Sequence, residues 1–167
     1  TEEFKAAVAD RIFFAHNSAA LAPADVHVLR LQAKWLIERK NVVVWLEARA
    51  DDGETVEMDT ALALERGAAV KSILAKEGVE PKRIRIELLG RNRSVARCDD
   101  LVSKARQLLD PAAIDAAEAC AAHNRTVIVV VGPEGLAYVP KIAENPAAID
   151  GAVKLKSQSV QKAPQPE

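Results

Sequence analysis

The sequence predicts an α/β fold, an α+β sandwich with helices packed on one mixed four-stranded sheet. Three observations predict it. Val42 to Leu46 is a β-branched run apolar on both faces, as a strand buried inside a sheet is. Arg125 to Val131 is the clearest strand in the chain. Between the strand candidates lie stretches with apolar residues at helical spacing. The resulting order is strand, helix, strand, helix, strand, helical insert, strand, which fits a helix layer on one sheet.

Taken in order, Glu2 to Ala9 is a helical lead into a short apolar run, Arg11 to Phe14, and a loop, His16 to Ala20. A helix starts near Pro23, a residue suited to a first helical turn, and runs to about Arg39. Val26, Leu29, Ala33, Leu36 and Ile37 share one face of it. The strand Val42 to Leu46 leads to the loop Asp51-Asp52-Gly53-Glu54. A second helix runs from about Asp59, the expected N-cap, to about Lys76, with a core stripe of Leu62, Ala69, Val70, Ile73 and Leu74. Gly78 is placed to cap its C-terminus. After Glu80-Pro81, Ile84, Ile86 and Leu88 alternate with Arg85 and Glu87, the pattern of a half-exposed strand ending at Gly90. Leu101 to Leu109 and Ala112 to Ala121 are helical, separated by Pro111. Trp35 and Trp45 read as core. The chain thus divides into a lead, 1–10, a domain, 11–131, and a tail, 132–167, rich in Pro, Lys, Gln and Ser and expected to be partly disordered.

Composition narrows the function. With 167 residues, 49% of them hydrophobic, the chain supports one domain with a real core. A net charge of -1 with mixed signs lacks the basic footprint of a nucleic-acid binder. No apolar run reaches the roughly 18 residues of a membrane span. The abrupt, charged start at Thr1 fits a chain whose leader or anchor was removed before this numbering. His16, His27 and His123 form no constellation, so neither a metal nor a cofactor is expected. No Ser-His-Asp set or phosphate loop can be assembled, which argues against an enzyme. Cys98 and Cys120 permit a disulfide. Buried thiols, or chemistry pairing Cys120 with His123, are the alternatives. A bridge would stabilise the fold by about 3 kcal/mol in the chain-entropy model and indicate an oxidising compartment.

Asp51 and Arg66 stand fifteen residues apart, one at a strand end and the other on the next helix. A carboxylate and a guanidinium facing one pocket suit a zwitterion such as the free amine and carboxylate of an amino acid. The competing readings are a loop-capping carboxylate for Asp51 and a solvated helix residue for Arg66.

Around this pair the residues resemble the OmpA-like peptidoglycan-binding domain, the family of OmpA, the peptidoglycan-associated lipoprotein and MotB. The signature stretch reads Ala50-Asp51-Asp52-Gly53, Asp59, Leu62-Ala63, Arg66-Gly67 and Val70, with Asp51, Asp59, Leu62 and Arg66 at the family's intervals. Phe13 to Ser18 with Leu21 and Pro23 resembles the opening strand and loop, Ile84 to Gly90 the third strand, and Asn124-Arg125-Thr126-Val127 the entry to the last strand. The cysteines flank a helical insert as in the disulfide region of OmpA. Departures are Ala15 for an acidic residue, Ala50 for Thr, Asp59 for Asn, Ala63 for Ser and Gly67 for Ala, with Gly53 one residue early.

The resemblance implies non-covalent binding of peptidoglycan through the diaminopimelate of its stem peptide, which anchors the outer membrane or an envelope complex to the cell wall. Asp51 would accept from the ligand ammonium and Arg66 would clamp its carboxylate. Asp59, Asn17 and Arg125 are further candidates at the pocket. It also implies the periplasm of a Gram-negative bacterium and, in the whole protein, outer-membrane association with a possible envelope protein partner. The alternative is a protein-interaction scaffold on the same fold whose pocket has decayed at Ala15, Ala50, Asp59 and Ala63.

Overall fold

Four strands form one sheet in the order β1-β4-β2-β3, in a computed structural model that describes residues 1–50, 55–89 and 98–138 and, of Asp99, only the backbone. The elements are α1 (Glu2–Ala7), β1 (Arg11–Phe13), α2 (Pro23–Glu38), β2 (Val42–Arg49), α3 (Val56–Lys76), a 3-10 turn (Pro81–Arg83), β3 (Ile84–Leu89), α4 (Asp99–Leu108), α5 (Pro111–Ala122) and β4 (Thr126–Pro133). β2 runs parallel to β3 and antiparallel to β4, with Trp45 opposite Arg85 on one side and Val130 on the other. β1 pairs antiparallel with β4, with Phe13 opposite Thr126. The sheet is mixed and four-stranded, as expected.

Alternation along β2 decides what lies on each face. Val44, Leu46, Ala48 and Ala50 join one core with Leu29 and Leu36 of α2, Leu62, Val70 and Leu74 of α3, and Phe4 of α1. Burying each large aliphatic side chain there contributes about 1.5–3 kcal/mol. On the opposite face lie Trp45, Glu47 and Arg49, all buried. Arg49 Nη2 donates to Glu47 Oε2 at 2.7 Å, and this pairing lets β2 run three residues past Leu46, where the apolar run ends.

Several boundaries differ from the sequence reading for local reasons. Asp59 does not cap α3; the hydroxyl of Thr55 does, accepting from the Met58 amide at 3.2 Å, so the helix starts a turn earlier and Asp59 is buried inside it. In α2 the buried stripe is Leu29, Gln32, Ala33, Trp35 and Leu36, while Ile37 is 40% exposed. Gln32 takes the expected apolar place because its amide donates to the Ala9 carbonyl, tying α2 to the approach of β1. Leu88 points away from the core and is 41% exposed, whereas Leu89 is buried. The capping glycine is where the sequence puts it. Gly78 has φ +106, and the amides of Gly78 and Val79 donate to Ala75 and Leu74, a Schellman ending. Gly90, the expected end of β3, lies outside the described residues.

β4 continues past Val131 to Pro133, and the chain then folds back over the sheet. Tyr138 stacks on Trp45 with ring centroids 5.5 Å apart, and its hydroxyl donates to Glu47 Oε1 at 2.6 Å. Residues 139–167 of the proposed tail lie outside the described residues. Both tryptophans are buried. No described helix is long and apolar enough to cross a membrane.

Candidate functional site

Arg66 is brought to the C-terminal end of β2 by the period of α3. Asp59, Leu62, Ala63 and Arg66 recur at helical intervals and are all buried. The guanidinium of Arg66, fully buried, donates from Nε to the Ser18 carbonyl at 2.9 Å, from Nη2 to the Ala15 carbonyl at 3.1 Å and from Nη1 to the Arg49 carbonyl at 3.2 Å. Its Cζ stands 5.3 Å from the ring centroid of Phe14, within cation–π range. One side chain therefore joins the opening loop to the end of β2, immediately before Ala50 and Asp51. The sequence reading put Arg66 on a pocket wall facing ligand. The structure buries its guanidinium with carbonyl oxygens among its partners, since five donors in a rigid fork can satisfy acceptors from two separate segments.

Asp51 lies outside the described residues, together with Asp52 and Gly53. The other candidates are placed as follows. Asn17 is exposed in the opening loop with φ +50, a left-handed conformation that Asn tolerates better than most residues. In the same loop the Ser18 amide donates to the Ala15 carbonyl and the Ala20 amide to the Ser18 hydroxyl. Asp59 is 4% exposed on the same helix face as Arg66, seven residues or two turns away. Arg125 is buried just ahead of β4. Its Nη2 donates to Glu118 Oε1 at 2.6 Å and its Nε to the Phe14 carbonyl at 3.4 Å, while the Phe14 amide donates to the Arg125 carbonyl at 2.9 Å. Arg125 is thus fastened to the end of β1 through both main chain and side chain. The structure brings the opening loop, the end of β2, α3 and the start of β4 to one end of the sheet.

Two features escaped the sequence. Glu118, on α5, supplies the counter-charge to Arg125; its spacing of seven residues crosses a helix end and carries no motif. Gly67, one of the departures from the family pattern, allows close packing: a Cβ there would lie 2.7 Å from Ile86 Cγ2 and 3.3 Å from Ala48 Cβ. Cys98 and Cys120 are bridged, with Cα atoms 5.8 Å apart, at the base of the α4–α5 hairpin. Among the described residues, no group of three His, Cys, Asp or Glu side chains is placed to hold a metal ion.

A cavity of about 580 Å³ lies at the other end of β2, lined by Lys40, Val43, Trp45, Arg85, Glu134 and Leu136 among others. It contains none of the candidate ligand-binding residues. The half-buried Arg83 on its wall is occupied, donating to the carbonyls of Val42, Leu36 and Arg39.

Comparison with known proteins gives the family and the fold. The model of the OmpA family matches residues 13–108. A peptidoglycan-associated lipoprotein of Agrobacterium fabrum is 30% identical over 135 residues, covering 81% of this chain and 67% of that protein. Another, from Mesorhizobium japonicum, is 34% identical over 100 residues, 60% of each chain. The chain therefore spans about two thirds or less of the length of these relatives. In fold it is similar to the peptidoglycan-associated lipoprotein of Burkholderia pseudomallei, with TM-score 0.59 and 22% identity over 74% of this chain and 90% of that one. It is likewise similar to the C-terminal domain of Helicobacter pylori MotB, with TM-score 0.57 and 17% identity over 92% of this chain and 98% of that one. The matched family segment runs from the end of β1 through α4 and so includes the opening loop, β2, α3 and Arg66. By sequence and by fold together, the chain belongs to the OmpA family.

Proposed function

We propose that this chain binds peptidoglycan non-covalently, through the diaminopimelate of the stem peptide, and anchors the outer membrane or an envelope complex to the cell wall from the periplasm. The observation that carries this reading is the bond from Arg66 to the Arg49 carbonyl, two residues before Asp51. It fixes a positive charge at the strand end from which the Asp51 carboxylate follows. A zwitterionic end of diaminopimelate supplies the complementary pair: its ammonium to Asp51, its carboxylate to the positive field of Arg66. The relatives, named peptidoglycan-associated lipoproteins, support peptidoglycan as the ligand. Asp59 adds a carboxylate on this helix face and Asn17 an amide in the opening loop. No bond is broken in this scheme, so no soluble fragments are released from purified cell wall.

One observation favours the alternative, a scaffold with a decayed pocket: the guanidinium of Arg66 has no exposed surface, as in a purely structural residue. Calorimetric titration with a diaminopimelate-containing stem peptide separates the two. Binding by the wild type that is lost in Asp51→Ala, with that variant still folded by circular dichroism, is the expected result. A well-folded wild type that takes up no heat at millimolar peptide would leave only the scaffold reading.

A further inference from the structure

We infer that the α4–α5 hairpin is a brace for the binding site: the disulfide at its base and Glu118 on α5 position the opening loop through Arg125. This deepens the wall-binding reading and depends on it for the ligand, though not for the brace itself. Arg125 thereby becomes a positioning residue rather than a ligand contact.

The argument starts from a buried charge. The Arg125 side chain is 7% exposed, and a buried guanidinium needs a carboxylate and carbonyl acceptors to offset its desolvation. Glu118 provides the carboxylate at 2.6 Å and Phe14 a carbonyl at 3.4 Å. The carboxylate therefore comes from the inserted hairpin and the carbonyl from the end of β1. Arg125 is the point where the insert grips the site.

What holds the insert is the bridge. α4 and α5 pack on each other, and Cys98 precedes α4 while Cys120 lies in the last turn of α5. Asn124, 1% exposed and adjacent to Arg125, donates from Nδ2 toward Cys98 Sγ at 3.8 Å. From the bridge the contacts run through Asn124 and Arg125 to Phe14, whose ring lies against Arg66, and then to Ala15, whose carbonyl Arg66 holds. With Cys98 and Cys120 joined, α5 keeps one orientation and Glu118 stays aligned with Arg125. Reduction by a dithiol transfers two electrons and two protons to the protein, leaving two thiols here and a disulfide in the reductant. The base of the hairpin is then free, and the opening loop loses the support that runs through Arg125, while the one through Arg66 remains.

The test compares oxidised wild type, dithiol-reduced wild type, Cys98→Ser/Cys120→Ser and Glu118→Gln, the last with its bridge intact. Amide hydrogen exchange in the ligand-free protein reads the brace directly. Exchange at Phe14 and Ser18, whose amides bond Arg125 and Ala15, is expected to quicken about fivefold in all three altered forms, the loss of roughly one hydrogen bond. Exchange at Leu29 and Leu36 in α2 should stay as it was, since a general loosening would move both sets alike. Glu118→Asp should restore part of the protection. Unchanged exchange at Phe14 and Ser18, or an equal rise across the fold, overturns the proposal. Stem-peptide titration of the same samples should show affinity about fivefold weaker. Should oxidised wild type bind no peptide, the wall-binding reading falls, and the exchange result still decides the brace.

Discussion

Three carbonyl oxygens from two separate stretches of chain converge on Arg66, and removing the side chain would take a charged donor from each of them at once. Arg66→Ala should therefore lower stability by about 3 kcal/mol or more, read as a shift in urea midpoint. Arg66→Lys should recover only part, because an ammonium is a point donor that does not span acceptors arranged around a fork. A midpoint unmoved by Arg66→Ala would mean these bonds exchange freely with water. Its binding loss is accordingly not clean evidence of ligand contact, which is why Asp51→Ala is the better probe of recognition. At the next residue two effects oppose each other. Alanine gains about 1 kcal/mol over glycine inside a helix, but at Gly67 the added Cβ meets a methyl that is not the free end of its side chain, Ile86 Cγ2. The overlap should win, so that Gly67→Ala destabilises by about 1–3 kcal/mol and Ile86→Ala in the same chain relieves part of it. A Gly67→Ala variant more stable than wild type would show that α3 can lift off β3 cheaply.

Among the elements, α3 has both ends set by local chemistry, Thr55 at the start and Gly78 after the end. Replacing Gly78 by alanine forces a side chain into φ +106 and should cost about 1 kcal/mol in thermal unfolding. The segment after β4 makes a sharper prediction, since its described part packs where the sequence suggested a loose tail. Truncation after residue 135 removes the Tyr138 ring from Trp45 and its hydroxyl from buried Glu47. The truncated chain should unfold at lower denaturant, and an unchanged midpoint would show that the stacking adds nothing. Tyr138 also predicts a pH dependence. Burial, then the hydrogen bond to Glu47 and its negative charge, push the Tyr138 hydroxyl far above its ordinary value of 10.0. The folded state thus holds this proton more tightly than the unfolded state. Its contribution is fully present below pH 10 and is lost progressively as pH rises above that value. Because Tyr138 is the only tyrosine, phenolate absorbance at alkaline pH should appear only with unfolding, and Tyr138→Phe should flatten the alkaline fall in stability.

At the scale of the molecule, the candidate site is an assembly of segments distant in sequence. Ala15 and Ser18 come from the opening loop, Arg49 from β2, Arg66 from α3 and Arg125 from the start of β4. Sheet order explains the meeting. β4 lies between β1 and β2, so the end of β1 and the end of β2 are held one strand apart and α3 crosses above them. The α4–α5 hairpin enters from the side, between β3 and β4 in sequence, and reaches the same end through Glu118. A ligand bound there would couple three strands and a helix, so stem peptide should raise the unfolding temperature of the wild type and leave that of Asp51→Ala in place.

The sequence by itself determined the strand and helix order, the Schellman glycine, the cysteine pair and the family pattern around Arg66. Each of these is a local signal: a period of two or 3.6, a backbone that needs positive φ, or residue types at fixed intervals. Only the tertiary structure decided what those residues touch. Asp59 looked like a cap because it precedes an apolar stripe, yet Thr55 starts the helix and the packing of α3 buries Asp59. Glu47 and Arg49 broke the apolar run and yet continue the strand, because each neutralises the other under Tyr138. Arg66 read as a ligand clamp from its interval to Asp51, and its depth depends on carbonyls of residues 15, 18 and 49, which no side-chain pattern encodes. Backbone acceptors are the same in every residue. Where they converge is a property of the fold, and that convergence gives Arg66 its place.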